Sequence, residues 1–151
     1  MRPKSIVLFD YLYLTALLLG IVGGVLNWQA TSAMLANNPA IEAMGTGIVY
    51  GILVGSIVFG LGINLLLWYF ISRRVSNGAR WIWVLLLVFG MPGTIRTFLG
   101  STGVVVLPVA GRAILIINLL LQIAAAVMLF RADARAWFAS GGEAVDSDAF
   151  N

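Results

Sequence analysis

The chain has 151 residues, of which 61% are hydrophobic and 10% charged, with a formal net charge of +3. Soluble domains carry about 45–50% apolar and about 25% charged residues, so an ordinary cytosolic globular enzyme, a disordered chain and a secreted disulfide scaffold are excluded. The basic residues flank apolar segments instead of forming a stripe, which speaks for membrane topology and against a nucleic-acid partner.

Crossing the hydrocarbon as a helix takes about 20 mainly apolar residues. Four segments qualify, at about 5–28, 46–72, 81–99 and 104–130, the last of them clearest from Ala113 to Phe130. Two of the three connections are short, which makes sequential helices antiparallel neighbours. The expected fold is an all-α membrane protein, an antiparallel bundle of four transmembrane helices over residues 1–138. Residues 139–151, acidic and Gly-containing, are expected to form a disordered cytoplasmic tail.

The first segment opens on Arg2 and Lys4 and has small residues, Ala33 and Ala36, downstream, as a cleaved signal peptide would. Its apolar region exceeds the usual length of about 7–15 residues and contains Asp10, so it reads as a retained helix. In the loop that follows, Asn38-Pro39 resembles a helix cap with proline at the first helical position, and Glu42 lies near the positive end of that helix dipole.

In the second segment Gly47, Gly51 and Gly55 recur at every fourth position, on one helical face within roughly 80°. Gly62 joins that face, while Ser56, Gly60 and Asn64 form a second stripe. Small residues let helices approach closely in a bilayer, where the hydrophobic drive is missing. Two such faces suggest packing on two neighbours within the chain, and the triple repeat equally suits a homo-oligomer seam. Gly20, Gly23 and Gly24 repeat the device in the first segment, Gly20 and Gly24 on a face shared with Asp10, Tyr13 and Leu17.

The third segment is interrupted by Gly90-Met91-Pro92-Gly93, so a kink or break with Pro92 as a hinge is expected. In the fourth, Gly111, Leu115, Asn118, Gln122, Ala125 and Leu129 share one side. Arg96 and Arg112 flank the outer end and are expected to snorkel to headgroups, near Glu42.

Orientation follows from Lys and Arg. With the N-terminus inside, Arg2, Lys4, Arg73, Arg74, Arg80, Arg131 and Arg135 lie inside and only Arg96 and Arg112 outside, seven against two. Both termini are therefore expected in the cytoplasm. Aromatic residues such as Trp28, Trp68, Trp81 and Trp137 fall at the span ends, where amphipathic rings prefer to sit.

Chemistry-bearing residues are scarce. There is no Cys and no His, hence no thiolate, no imidazole base and no histidine-held haem or zinc. Among six acids only Asp10 lies in an apolar segment, and no phosphate-binding or hydrolase motif is present. No catalytic residue, cofactor or metal is expected. The intramembrane polar residues are Asp10, Asn64, Asn118 and Gln122. At about 1.5 Å per residue Asp10 lies roughly 7 Å, and Asn64 and Gln122 roughly 12 Å, from the cytoplasmic ends of their segments. They could form a polar site for an ion or small solute, with Asp10 as its only charge. They equally suit interhelical hydrogen bonds, and Asp10 has Arg73 and Arg74 as possible ion-pair partners.

The opening Val7–Val22 (VLFDYLYLTALLLGIV) and the closing Met128–Phe138 (MLFRADARAWF) resemble small four-span bacterial inner-membrane proteins of uncharacterised families. The resemblance implies four spans, a basic cytoplasmic hairpin after the second span and a bacterial inner-membrane location, and no activity. Small multidrug transporters also have four short spans and one acid in the first. This chain departs from them in its longer loop, its acid near the inner edge and its one-sided charge bias. The function expected is that of a non-catalytic accessory or assembly subunit, or a homo-oligomer. The alternative is a small channel or transporter with the polar site in the cytoplasmic half.

Overall fold

The computed structural model describes residues 2–36, 46–99 and 108–142. They form helices α1 (Lys4–Leu26), α2 (Trp28–Ala36), α3 (Thr46–Ser72), α4 (Asn77–Leu99), α5 (Val109–Leu129) and α6 (Ala132–Ala139), with no strand among the described residues. α1, the Tyr50–Ser72 stretch of α3, α4 and α5 are each long and apolar enough to cross a membrane. The chain is therefore a multi-pass helical membrane protein. The loop features at Asn38, Pro39 and Glu42 and the tail from Glu143 onward lie outside the described residues.

The helix ends follow local chemistry. α1 and α5 start behind Pro3 and Pro108, whose φ of −64° and −59° suit a helix start, where a missing N–H costs nothing. α4 begins four residues ahead of the expected Trp81, because the Ser76 hydroxyl accepts the Ala79 N–H at 3.2 Å and caps the first turn. α1 ends at Leu26 rather than Trp28, with Asn27 between it and the short α2. α6 reaches Ala139 and closes through Gly142, whose N–H donates to the Trp137 carbonyl at 3.0 Å. Residues 139–142 thus belong to the folded part and not to the expected tail.

Pro92 sits exposed inside α4, which is continuous from Asn77 to Leu99. The expected break is absent. The fixed φ of proline is helical, and one lost donor is tolerated in a span.

α1 is the organising helix and packs most extensively on α5. Small residues permit the approach. A Cβ on Gly23 would lie 3.2 Å from Ile114 Cγ2, one on Gly20 3.3 Å from Asn118 Nδ2, and one on Gly111 would collide with the Asn27 amide. The α3 repeat behaves differently. A Cβ on Gly47, Gly51, Gly55, Gly60 or Gly62 would meet no atom within 4 Å, nor would one on Gly24. The helix does touch α1, α2 and α4, but not closely at these glycines.

The core gathers at one end, called basal here, where the N-terminus, the α3–α4 turn and α6 meet. Ile6, Phe9, Tyr13, Ile71, Trp83, Leu129 and Trp137 are buried together there. The Phe9, Tyr13 and Trp83 rings form a closed triangle with centroids 5.3–5.8 Å apart. Away from this end the spans touch their own chain sparingly. Only 11% of α3, 6% of α4 and 11% of α5 is buried over the apolar window, against 28% of α1. At the basal turn Val75 has φ +52°, a region disfavoured for a β-branched residue. Gly142, at φ +95°, lies so close that a Cβ would come within 2.7 Å of Val75 Cγ2, so only glycine fits there.

Candidate functional site

The four intramembrane polar residues divide into two groups. Asn64, Asn118 and Gln122 line a cleft of about 360 Å³ whose walls come from α1, α3, α4 and α5, with Trp28 of α2. Asp10 does not line it. The face of α1 carrying Tyr13, Leu17, Gly20 and Gly24 forms one wall, and the Ser56, Gly60 and Asn64 stripe of α3 another. Here Gly24 and Gly60 leave space in the cleft, while Gly20 lies close against Asn118 of α5.

Hydrogen bonds fix the polar lining. The Tyr13 hydroxyl donates to Asn64, 2.8 Å from its carbonyl oxygen and 3.0 Å from Oδ1, and the Asn64 side-chain amide donates to the Gly60 carbonyl at 2.8 Å. One turn apart on α5, Gln122 Nε2 donates to Asn118 Oδ1 at 3.1 Å. This amide pair also lines a second, smaller cleft of about 120 Å³ against Gly90, Met91 and Thr94 of α4. The expected hinge region therefore adjoins the polar pair, while Pro92 itself is not part of either wall. Neither cleft is lined by a charged side chain among the described residues.

Asp10 has a different role. Its Oδ2 accepts from Arg2 Nη1 and Ser72 Oγ, both at 2.9 Å, and its Oδ1 accepts from Trp68 Nε1 at 2.9 Å. Arg2, and neither Arg73 nor Arg74, is the ion-pair partner. The carboxylate ties the N-terminal residues and α1 to the end of α3 and stands outside the cleft walls. An acid placed roughly 7 Å inside the span end finds three donors at the interface.

A second carboxylate tie was not foreseen. Asp133, in the first turn of α6, accepts from Ser5 Oγ at 2.6 Å and from the Ser5 backbone N–H at 3.2 Å. It satisfies an α1 amide that has no intrahelical partner, as a capping residue would, but from the far end of the chain. Burial works to raise the Asp133 pKa, yet the Ser5 hydroxyl and amide, with the backbone N–H groups of its own turn, hold it below the usual carboxylate value. The folded pKa is depressed, so the stabilisation is present above the unfolded value of about 3.9 and is lost as pH falls through the folded one. Thermal unfolding followed from pH 7 to pH 3 is expected to show a larger acid-induced loss in the parent than in Asp133→Asn. Equal losses would remove Asp133 from the acid response.

Arg80 was read only as an inner topology charge. It is buried, with its guanidinium carbon 4.7 Å from the Phe138 ring, 5.0 Å from that of Phe130 and 5.8 Å from that of Trp81. No metal-binding group of three or more His, Cys, Asp or Glu residues occurs among the described residues. No protein-family model, curated protein or solved structure matches this chain.

Proposed function

We propose that the protein is a non-catalytic accessory or assembly subunit of the bacterial inner membrane, working by helix–helix association within the bilayer. The observation that carries this reading is the row Gly47, Gly51 and Gly55 on α3, where an added Cβ would meet no described atom of the chain within 4 Å. Glycine at every fourth position weakens a helix and is useful where another backbone comes close. The sparse burial of α3 and α4 leaves room for such a neighbour. A second copy of the chain is the simplest one.

In this reading the four spans form an antiparallel bundle with both termini in the cytoplasm. Falling partner numbers along α1 support the antiparallel sense, since Tyr13 meets Asn64 where Asp10 meets Ser72, and Gly23 meets Ile114 where Gly20 meets Asn118. The seven-to-two basic asymmetry supports the orientation. The likeness of the two ends of the chain to uncharacterised four-span proteins supports the location.

Chemical cross-linking in native membranes, followed by mass measurement in detergent, tests the association. The parent is expected to form a discrete oligomer or complex. Gly51→Leu is expected to dissociate it while unfolding close to the parent's temperature, because a Cβ at this position meets no described atom of the chain within 4 Å. A parent that is monomeric and partnerless overturns the reading.

A second reading rests on the cleft itself: a pathway for a small uncharged solute past Asn64, Asn118 and Gln122. Glycerol-induced swelling of proteoliposomes is then expected to be faster than that of empty liposomes, and to fall to background in Asn118→Leu. Swelling no faster than that of empty liposomes would end this alternative.

A further inference from the structure

We propose that the basal edge of α4 and α5 is a binding site for an anionic phospholipid, whose phosphate is held by Arg80, Arg131 and Arg135. Three independent features meet there. The first is an uncompensated charge. Arg80 is 8% exposed, and among the described residues no carboxylate lies within ion-pair distance of it. Its Nε atom is buried without a hydrogen-bond partner, and its one protein acceptor is the Leu129 carbonyl, at 3.4 Å. The three aromatic rings around it compensate the positive charge in part, but a buried cation ordinarily has an anion beside it.

The second feature is the sign of its surroundings. Arg135 brings a second positive charge close enough to act on Arg80, and Arg131 follows directly after Phe130, whose ring contacts both Arg80 and Trp81. Three guanidinium groups with five donors each suit a phosphate better than any single acceptor of the protein. The third feature is apolar. A groove of about 450 Å³ runs between α4 and α5 past Leu87, Met91, Ile123 and Val127 and ends at Phe130 and Arg131. An acyl chain fits that groove while its headgroup reaches the arginines. Trp81, half exposed beside them, lies where interfacial tryptophans sit. Basic pockets between spans are where anionic headgroups are bound. Charge complementarity together with the groove selects a lipid over a soluble anion.

The test uses the full chain in a neutral detergent, with lipid binding counted by native mass spectrometry and thermal unfolding followed in parallel. The probes are phosphatidylglycerol, phosphatidylcholine of the same acyl chains, and inorganic phosphate. Phosphatidylglycerol is expected to bind at least about fivefold more tightly than phosphatidylcholine, and the preference is expected to shrink with added salt. The double variant Arg131→Gln/Arg135→Gln, whose altered side chains are exposed, is expected to fold and to lose that preference. Equal binding of the two lipids overturns the proposal, as does a preference that survives in the folded double variant. Inorganic phosphate that reproduces the thermal shift at millimolar concentration also overturns it, since the ligand would then be a soluble anion.

Discussion

Phe9→Ala is expected to be the most damaging single truncation in the chain. Phe9 is fully buried, and its ring stands 5.3 Å from Tyr13 and 5.8 Å from Trp83, centroid to centroid. Removing it opens a hole in the one region where α1, α3, α4, α5 and α6 converge. Phe→Ala costs about 3–5 kcal/mol in water-soluble cores. In a bilayer the separated helices are already surrounded by hydrocarbon, so the lost van der Waals packing dominates and the lower part of that range applies. Phe89→Ala is the matched control. Phe89 is 78% exposed, and its truncation is expected to change stability by no more than about 0.5 kcal/mol. Unfolding by a denaturing detergent compares the two, and equal midpoints would refute the placement of the core at the basal end.

Asp10→Ala is expected to be the second largest loss. It deprives Arg2, Ser72 and Trp68 of one shared acceptor. A hydrogen bond to a charged group contributes about 1.5–3 kcal/mol when sheltered, while the Arg2 pair lies at a partly exposed edge and contributes little. Two such bonds, from Trp68 and Ser72, would sum to about 3–6 kcal/mol if fully sheltered and additive; sharing one partly exposed carboxylate, they are expected to contribute about 2–3 kcal/mol. Asp10→Asn retains one carbonyl oxygen and is expected to fall between parent and Asp10→Ala. In a double-mutant cycle with Trp68→Phe the two changes are expected to be non-additive, because they remove the same bond. Strict additivity would show that the indole does not bind the carboxylate. Glycerol permeation, if the cleft conducts, is expected to be unaltered by Asp10→Asn, since the carboxylate is not in its wall.

How far the site was legible depends on what each residue needed. Asn118 and Gln122 lie one turn apart on one helix, so their shared face followed from periodicity alone. Asn64 could be placed near them in depth by its distance from the span end. Asp10 could be placed near the end of its span, but its partners Arg2, Trp68 and Ser72 could not be read from that depth. Depth along a helix is a sequence property, whereas the direction of a side chain around the axis relative to other helices is not. Arg80 shows the same limit: at the end of a span it reads as a topology charge, and only the approach of Phe130, just beyond α5, and Phe138 of α6 buries it. The glycines divide similarly. Gly20 and Gly23 face α5 closely, while a Cβ on Gly51 or Gly55 would meet no described atom of the chain within 4 Å, although their spacing is regular.

Composition and hydropathy by themselves determined that the chain crosses a membrane, that it does so four times, and approximately where each crossing lies. The reason is that a backbone in hydrocarbon must satisfy its hydrogen bonds within the segment, so length and apolarity suffice to mark a span. Only the tertiary structure decided that α1 pairs chiefly with α5, that the aromatic core sits at one end, that Asp133 caps α1 across the chain, and that three amides share a cleft without the acid. Between apolar helices in lipid there is no hydrophobic gradient to select partners. Side-chain shape and a few polar bonds select them instead, and these act between residues far apart in sequence.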